Sequence, residues 1–306
     1  MTGEKTKIVL GYILICLIWG STWLAIKIGL DTLTPMFAVG LRFFIAAIVL
    51  YLIIRFNNIK LQTDSRSINL YLFMGVFSFI IPFTLVYWAE QFVPTGLTSV
   101  LFAIFPFWVI LFSRIAFPIE GIGMYKLFGV ITGFIGIGII FKNELSLDFG
   151  NSTLGILAVI LSATMQGGVV VVIKKYGKEL NPVSMNFVPL LITGFVLIPI
   201  GLLFEDSSQL AYSNNALFSI LYLSIVGTVI AFTTYFWLLK RINVVILSLS
   251  SFVTPIIALL LGWFFLDEKL NLNHFIGSSL VLIGILFANF GGLLKYYKEV
   301  SRLRNV

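Results

Sequence analysis

Ten stretches of the chain read as apolar runs separated by short polar intervals, near residues 8–28, 35–55, 68–89, 97–117, 126–141, 153–173, 185–204, 216–238, 245–266 and 274–294. A helix that crosses the hydrocarbon core of a bilayer needs about 20 such residues. The pattern predicts an all-α integral membrane protein of ten transmembrane helices. The lipid bilayer is then its surroundings, and little chain is left for a soluble catalytic domain.

Composition narrows the class further. Of 306 residues, 59% are hydrophobic and 11% charged, against about 45–50% and about 25% in an ordinary soluble domain. That balance excludes a cytosolic globular protein, a disordered chain and a secreted scaffold. The single cysteine, Cys16, excludes an intramolecular disulfide and any multi-cysteine metal site, and the single histidine is His274. His274 opens the last apolar run with no second His or Cys beside it, so it reads as a surface residue and not a metal ligand. No metal and no cofactor is expected.

The net charge of +7 changes the picture through its distribution. With ten helices and a cytoplasmic N-terminus, sixteen of the 20 basic residues fall in cytoplasmic segments, including Lys5, Lys7, Arg55, Lys60, Arg66, Lys174, Lys175, Lys240, Arg241 and the cluster from Lys295 to Arg304. Only Lys27, Lys142 and Lys269 fall outside, and Arg42 lies within a span. The asymmetry predicts both termini in the cytoplasm and a multi-pass protein of the cell membrane. It also accounts for the charge as topology, so nucleic acid is not an expected partner. The first helix has no A-x-A cleavage site and reads as retained.

The sequence matches itself at a nearly fixed offset. Lys27 and Pro35 match Lys174 and Pro182 at 147; Phe83, Thr84, Trp88 and Pro106 match Phe232, Thr233, Trp237 and Pro255 at 149; Glu120, Gly129 and Gly136 match Glu268, Gly277 and Gly284 at 148. Two five-helix repeats, residues 1–145 and 146–306, follow. Five is odd, so the second repeat enters the membrane inverted, an arrangement typical of secondary transporters with a solute site near the midplane.

The order of motifs resembles the EamA family of the drug/metabolite transporter superfamily. The resemblance covers nearly the whole chain and rests on Trp19-Gly20-Ser21-Thr22-Trp23, Arg42, Pro94-Thr95-Gly96-Leu97-Thr98, Pro106, Pro255, Asp267-Glu268-Lys269-Leu270 and Gly277. It implies a ten-helix carrier of small metabolites, often an exporter, in the bacterial cytoplasmic membrane. Two positions depart from it: Pro118-Ile119-Glu120-Gly121 stands where the family usually has a Gly-Glu pair, and Gln166 stands opposite Trp19 in the repeat.

Polar side chains inside spans nominate the substrate-binding site, because an Arg at a helix centre costs about 2.5–3.5 kcal/mol to insert. Arg42 either pairs with Glu90, which closes the third span at similar depth, or meets a substrate carboxylate. Trp19 and Trp23 lie one turn apart on the first helix, with Trp19 as cavity lining or helix packing and Trp23, with Lys27, at the interface. Gln166, beside Gly167 and Gly168, offers a polar contact. Tyr87, Trp88, Tyr235 and Trp237 supply amphipathic rings, and Ser251 stands in a hydroxyl-rich segment with Ser248, Ser250 and Thr254. Pro106 and Pro255, near the centres of the fourth and ninth spans, read as hinges or static kinks.

Gly129, Gly133 and Gly136 form a small-residue face for packing within the chain or between two copies, so the protein is a monomer or a homodimer. The chain has no HExxH, GxSxG or phosphate-loop motif and no paired carboxylates within spans, so an enzyme is not expected. No filter motif marks a channel. The reading is a secondary transporter and exporter of a small-molecule substrate, an amino acid or an amphipathic compound, working by alternating access. Glu90 is the one carboxylate within reach of a membrane cavity; uniport, exchange and proton antiport all stay open.

Overall fold

The computed structural model describes residues 3–116, 124–144, 150–177, 180, 182–206, 208, 210–239, 241, 250–269, 271–284, 286–287 and 290. Among them every element is helical: α1 (Gly3–Leu30), α2 (Pro35–Phe56), α3 (Ser65–Ala89), α4 (Thr95–Phe102), α5 (Phe105–Ala116), α6 (Met124–Glu144), α7 (Asn151–Tyr176), α8 (Pro182–Phe204), α9 (Asn214–Leu221 continuing through Leu239), α10 (Ser250–Leu266) and α11 (Leu272–Gly284). Six of them, in α1, α2, α3, α7, α8 and α9, are long and apolar enough to cross a membrane alone. The expected ten spans are present in outline, and the fourth is built from two helices. Glu120, Ser248, Leu270 and the cluster from Lys295 to Arg304 lie outside the described residues.

Local chemistry sets the helix starts. Asp64 caps α3 by accepting from Ser67 N–H at 3.1 Å, and Ser213 caps α9 by accepting from Ala216 N–H at 3.1 Å. Proline opens α2 and α8, where its missing N–H is not needed. The expected kink at Pro106 is corrected: α4 ends at Phe102, Ala103 and Ile104 make a turn, and Pro106 sits in the first turn of α5. Proline at that position breaks no hydrogen bond, so the chain divides before it. Pro255, its match, lies inside α10.

Helices α3 and α9 each change pitch midway. Residues Gly75–Ile80 and Tyr222–Ile230 form π-helical turns at matching places in the two segments. Such turns rotate the following side chains relative to the preceding ones and favour functional positions.

The bundle is held by reciprocal contacts. Helix α2 packs along α8, α2 also meets the π turn of α9, and α8 meets the π turn of α3. Helix α1 lies against α9 and α10, while α7 lies against α3, α4 and α5. A large apolar cluster centres on Val39, Phe43, Ala46, Tyr87, Leu190 and Leu223. Outward-facing Leu10, Ile13, Leu17, Phe195 and Phe264 leave an apolar perimeter of the kind lipid covers. Between α6 and α11 the backbones nearly touch: a Cβ on Gly136 would lie 2.6 Å from the Gly277 carbonyl, and one on Gly284 would lie 2.6 Å from that of Gly129. The small-residue face is therefore occupied within the chain.

Candidate functional site

Arg42 lies on α2 with 3% of its surface exposed. Its Nε donates to Thr228 Oγ1 at 3.2 Å and its Nη1 to the Tyr87 hydroxyl at 3.3 Å. The guanidinium also stands 5.1 Å from the Phe43 ring centre and 5.3 Å from that of Phe83, close enough for attraction to both π faces. No described carboxylate comes within 4.0 Å of it, since the one ion pair among the described residues joins Arg241 to Glu4. Neutral hydroxyls and rings orient the cation without cancelling its charge. The π turn explains how Thr228 arrives there: its hydroxyl bonds the Leu223 carbonyl five residues back, and the turn aims it at α2. Next to Thr228 a cavity of about 10 Å³, lined also by Asn186, Leu190, Phe232 and Thr233, separates α2, α8 and α9. That is close to the room one water needs, so any solute space here is shut in this conformation.

The other π turn serves α7. Gln166 donates from Nε2 to the Ser78 carbonyl at 2.9 Å and accepts at Oε1 from the Ser78 hydroxyl at 3.0 Å. Pro82 stands four residues after Ser78 and has no N–H, so the Ser78 carbonyl is free for an outside donor. Ser162 of α7 takes the Pro82 carbonyl at 2.9 Å in the same interface. At the position matching Gln166, Trp19 packs 5.2 Å from Tyr235 and 5.7 Å from Phe232, ring centre to ring centre, with Trp237 in the same cluster.

One end of the bundle carries three carboxylates at helix junctions. Glu205 accepts from Met36 and Phe37 N–H at 2.8 and 3.1 Å, closing the start of α2. Glu268 accepts from Thr95 and Gly96 N–H at 2.6 and 3.1 Å, closing the start of α4. A carboxylate on exposed helix N–H groups is favourable through both hydrogen bonds and dipole. Glu90 differs: it is fully buried, and neither carboxyl oxygen has a hydrogen-bond partner among the described residues. Lys27 beside it donates instead to the main-chain carbonyls of Glu90 and Gln91.

The expected site residues thus separate into clusters. Arg42 joins Tyr87; Trp19 joins Tyr235 and Trp237; Gln166 goes to Ser78; Trp23 packs at a tilt 5.5 Å from Phe102; Trp88 packs edge-to-face 5.2 Å from Phe92. The Arg42–Glu90 pair does not form, because Tyr87 and Thr228 take the guanidinium on another face of the helix junction. Lys27, expected at the interface, is tied to the turn after α3. His274, expected at the surface, is instead buried at 6% exposure in the first turn of α11, where its N–H donates to the capping Asn271 Oδ1 at 2.8 Å. The Ser251 side chain lies outside the described residues. Thr228, Ser78 and Pro82 were not singled out, although the Ser78-x-x-x-Pro82 spacing signals a freed carbonyl.

The model of the EamA-like transporter family matches the chain twice, over residues 6–142 and 153–290. An uncharacterized transporter, YoaV, of Bacillus subtilis is 30% identical over 93% of this chain and 97% of its own length. The uncharacterized inner membrane transporter YedA of Escherichia coli K12 is 28% identical over 93% and 91%. Protein PagO of Salmonella typhimurium is 27% identical over 92% of each chain. A crystal structure at 19% identity superposes with a TM-score of 0.66 over 92% of this chain and 96% of the other, which shows a common fold. Two matches that together span most of the chain, on an all-helical bundle with membrane-length apolar helices, place this protein in the EamA-like transporter family.

Proposed function

We propose that the chain is a secondary transporter that exports small solutes bearing a carboxylate, amino acids and amphipathic acids among them, by alternating access. Arg42 carries the reading. A buried guanidinium oriented by Tyr87 and Thr228 but left without a counter-charge is an anion site in waiting. The aromatic groups nearby suit the apolar part of such a solute. In this proposal the segments 1–145 and 146–306 are inverted repeats that rock about α2 and α8. Both termini are cytoplasmic, so the end carrying Glu90, Glu205 and Glu268 faces out. The reciprocal packing of α1 on α9 and α10, and of α7 on α3, α4 and α5, supports that symmetry.

The test is flux in proteoliposomes of labelled amino acids and amphipathic carboxylates, with matched amines as controls and with and without a pH gradient. Arg42→Met should abolish carboxylate flux. Arg42→Lys should lower it by about 10- to 100-fold, the loss expected when a charged hydrogen bond is misplaced. Carboxylate flux that survives Arg42→Met, or a chain that moves only amines, sinks the reading.

A further inference from the structure

The junction between α3 and α4 contains a group the transport site does not use. Glu90 is enclosed on every side, with both carboxyl oxygens unpartnered, and the buried hydroxyl of Thr95 nearby is also unpartnered. Among the described residues the ionisable groups that act on it are few. Lys27 comes from α1, Glu268 from the segment after α10, and Tyr87, held by Arg42, from its own helix. Helix α7 brings Ser152, whose hydroxyl bonds the Phe92 carbonyl, Gly155, and the apolar Ile156 and Val159. Asp31 and Lys269 are exposed to the outside. A carboxylate in so dry a place, with no donor, strongly favours its neutral form. Lys27 meanwhile spends its ammonium on two main-chain carbonyls of the α3–α4 turn, fastening α1 to that turn.

We infer that Glu90 is a proton-binding site whose ionisation releases the Lys27 fastening and opens the outer end of the transporter. The inference rests on the transporter reading and its orientation. While the carboxyl holds its proton, Lys27 stays on the Glu90 and Gln91 carbonyls and the turn is closed. When the proton leaves to external water, the carboxylate becomes the strongest acceptor within reach of Lys27. The ammonium transfers to it, the two carbonyls are freed, and the new ion pair is stable only where water can solvate it. The turn then keeps the Glu268 cap on Thr95 and Gly96 and the Ser152 bond to Phe92, both away from α1, and α4 parts from α1. Closing the outer end takes up one proton and opening gives it back, so low external pH favours the closed form.

The experiment needs no solute, so its failure is distinct from failure of the flux assays. In a Cys16→Ser background, Val93→Cys places a thiol where only 1% of the native residue is exposed. Its reaction with a membrane-impermeant maleimide is followed against external pH, normalised to the exposed Asn215→Cys. The rate should climb by up to about tenfold per pH unit through the transition, the slope of one released proton. Adding Glu90→Gln should flatten the curve at the closed level, Glu90→Asp should keep a slope, and Lys27→Met should give fast labelling at every pH. A full slope in Glu90→Gln overturns the inference. Infrared difference spectra of the unmodified protein guard against misfolded variants: a buried protonated carboxyl band must vanish as pH rises, and its absence overturns the inference as well.

Discussion

Trp19-Gly20 on α1 and Gln166-Gly167 on α7 occupy matching places in the two family segments, yet only the glycines do the same job. A Cβ on Gly20 would lie 2.6 Å from Ile257 Cβ of α10, and a Cβ on Gly167 would lie 2.6 Å from Trp108 Cβ of α5. Both let the first helix of one segment approach the other segment more closely than any side chain permits. The neighbours diverge. Trp19 buries an aromatic face against Tyr235 and Phe232 of α9, whereas Gln166 threads two hydrogen bonds into the π turn of α3. The close helix contacts correspond in the two segments, and the chemistry laid beside them does not.

The contrast breaks most visibly on truncation. Trp19→Ala should destabilise the detergent-solubilised protein by about 3 kcal/mol, because a half-buried indole leaves a cavity among rings that cannot collapse. Gln166→Ala should cost about 1–2 kcal/mol, the penalty of stranding the Ser78 carbonyl and hydroxyl. Denaturant titration of both variants checks the order, and equal losses would mean the two contacts are the same kind of joint.

Adding a methyl group probes what the pair shares. Gly20→Ala and Gly167→Ala should each lose about 2 kcal/mol and do so to a similar extent, since each new Cβ meets a Cβ atom that cannot swing aside. A large effect at one glycine alone would show that only one close approach is needed.

The smallest effect concerns the caps that start α3 and α9, again matching positions with different chemistry. Ser67, through its hydroxyl and its N–H, holds the Asp64 carboxyl below the usual carboxylate range. Its folded value is therefore lower than its unfolded one. The stability it adds is present above the unfolded value, near 4, and fades as pH falls through the folded value. Asp64→Asn should remove that acid sensitivity, whereas Ser213→Ala should cost about 1 kcal/mol at any pH. Thermal unfolding across the acid range separates the two.

Much of this was legible from local pattern. Apolar runs of bilayer length located the helices, and the expense of a charge inside a span pointed to Arg42 and Glu90 without any structure. The small-residue face of α6 likewise announced a close helix contact, which Gly277 and Gly284 of α11 supply. Each of these signals is carried by one segment, because length, hydropathy and the penalty for burying charge do not depend on which helix lies alongside. Partnership does depend on it. Thr228 lies 186 residues from Arg42, and Gln166 lies 88 from Ser78. Both contacts are made at the π turns of α9 and α3, where helices distant in the chain meet. The break before Pro106, the burial of His274 and the choice of Lys27 between a carboxylate and two carbonyls are settled the same way. The sequence by itself determined which groups would be too polar for lipid; only the tertiary structure decided what each of them would face, since hydrogen-bond geometry over a few ångströms is set by the packing of helices far apart in the chain.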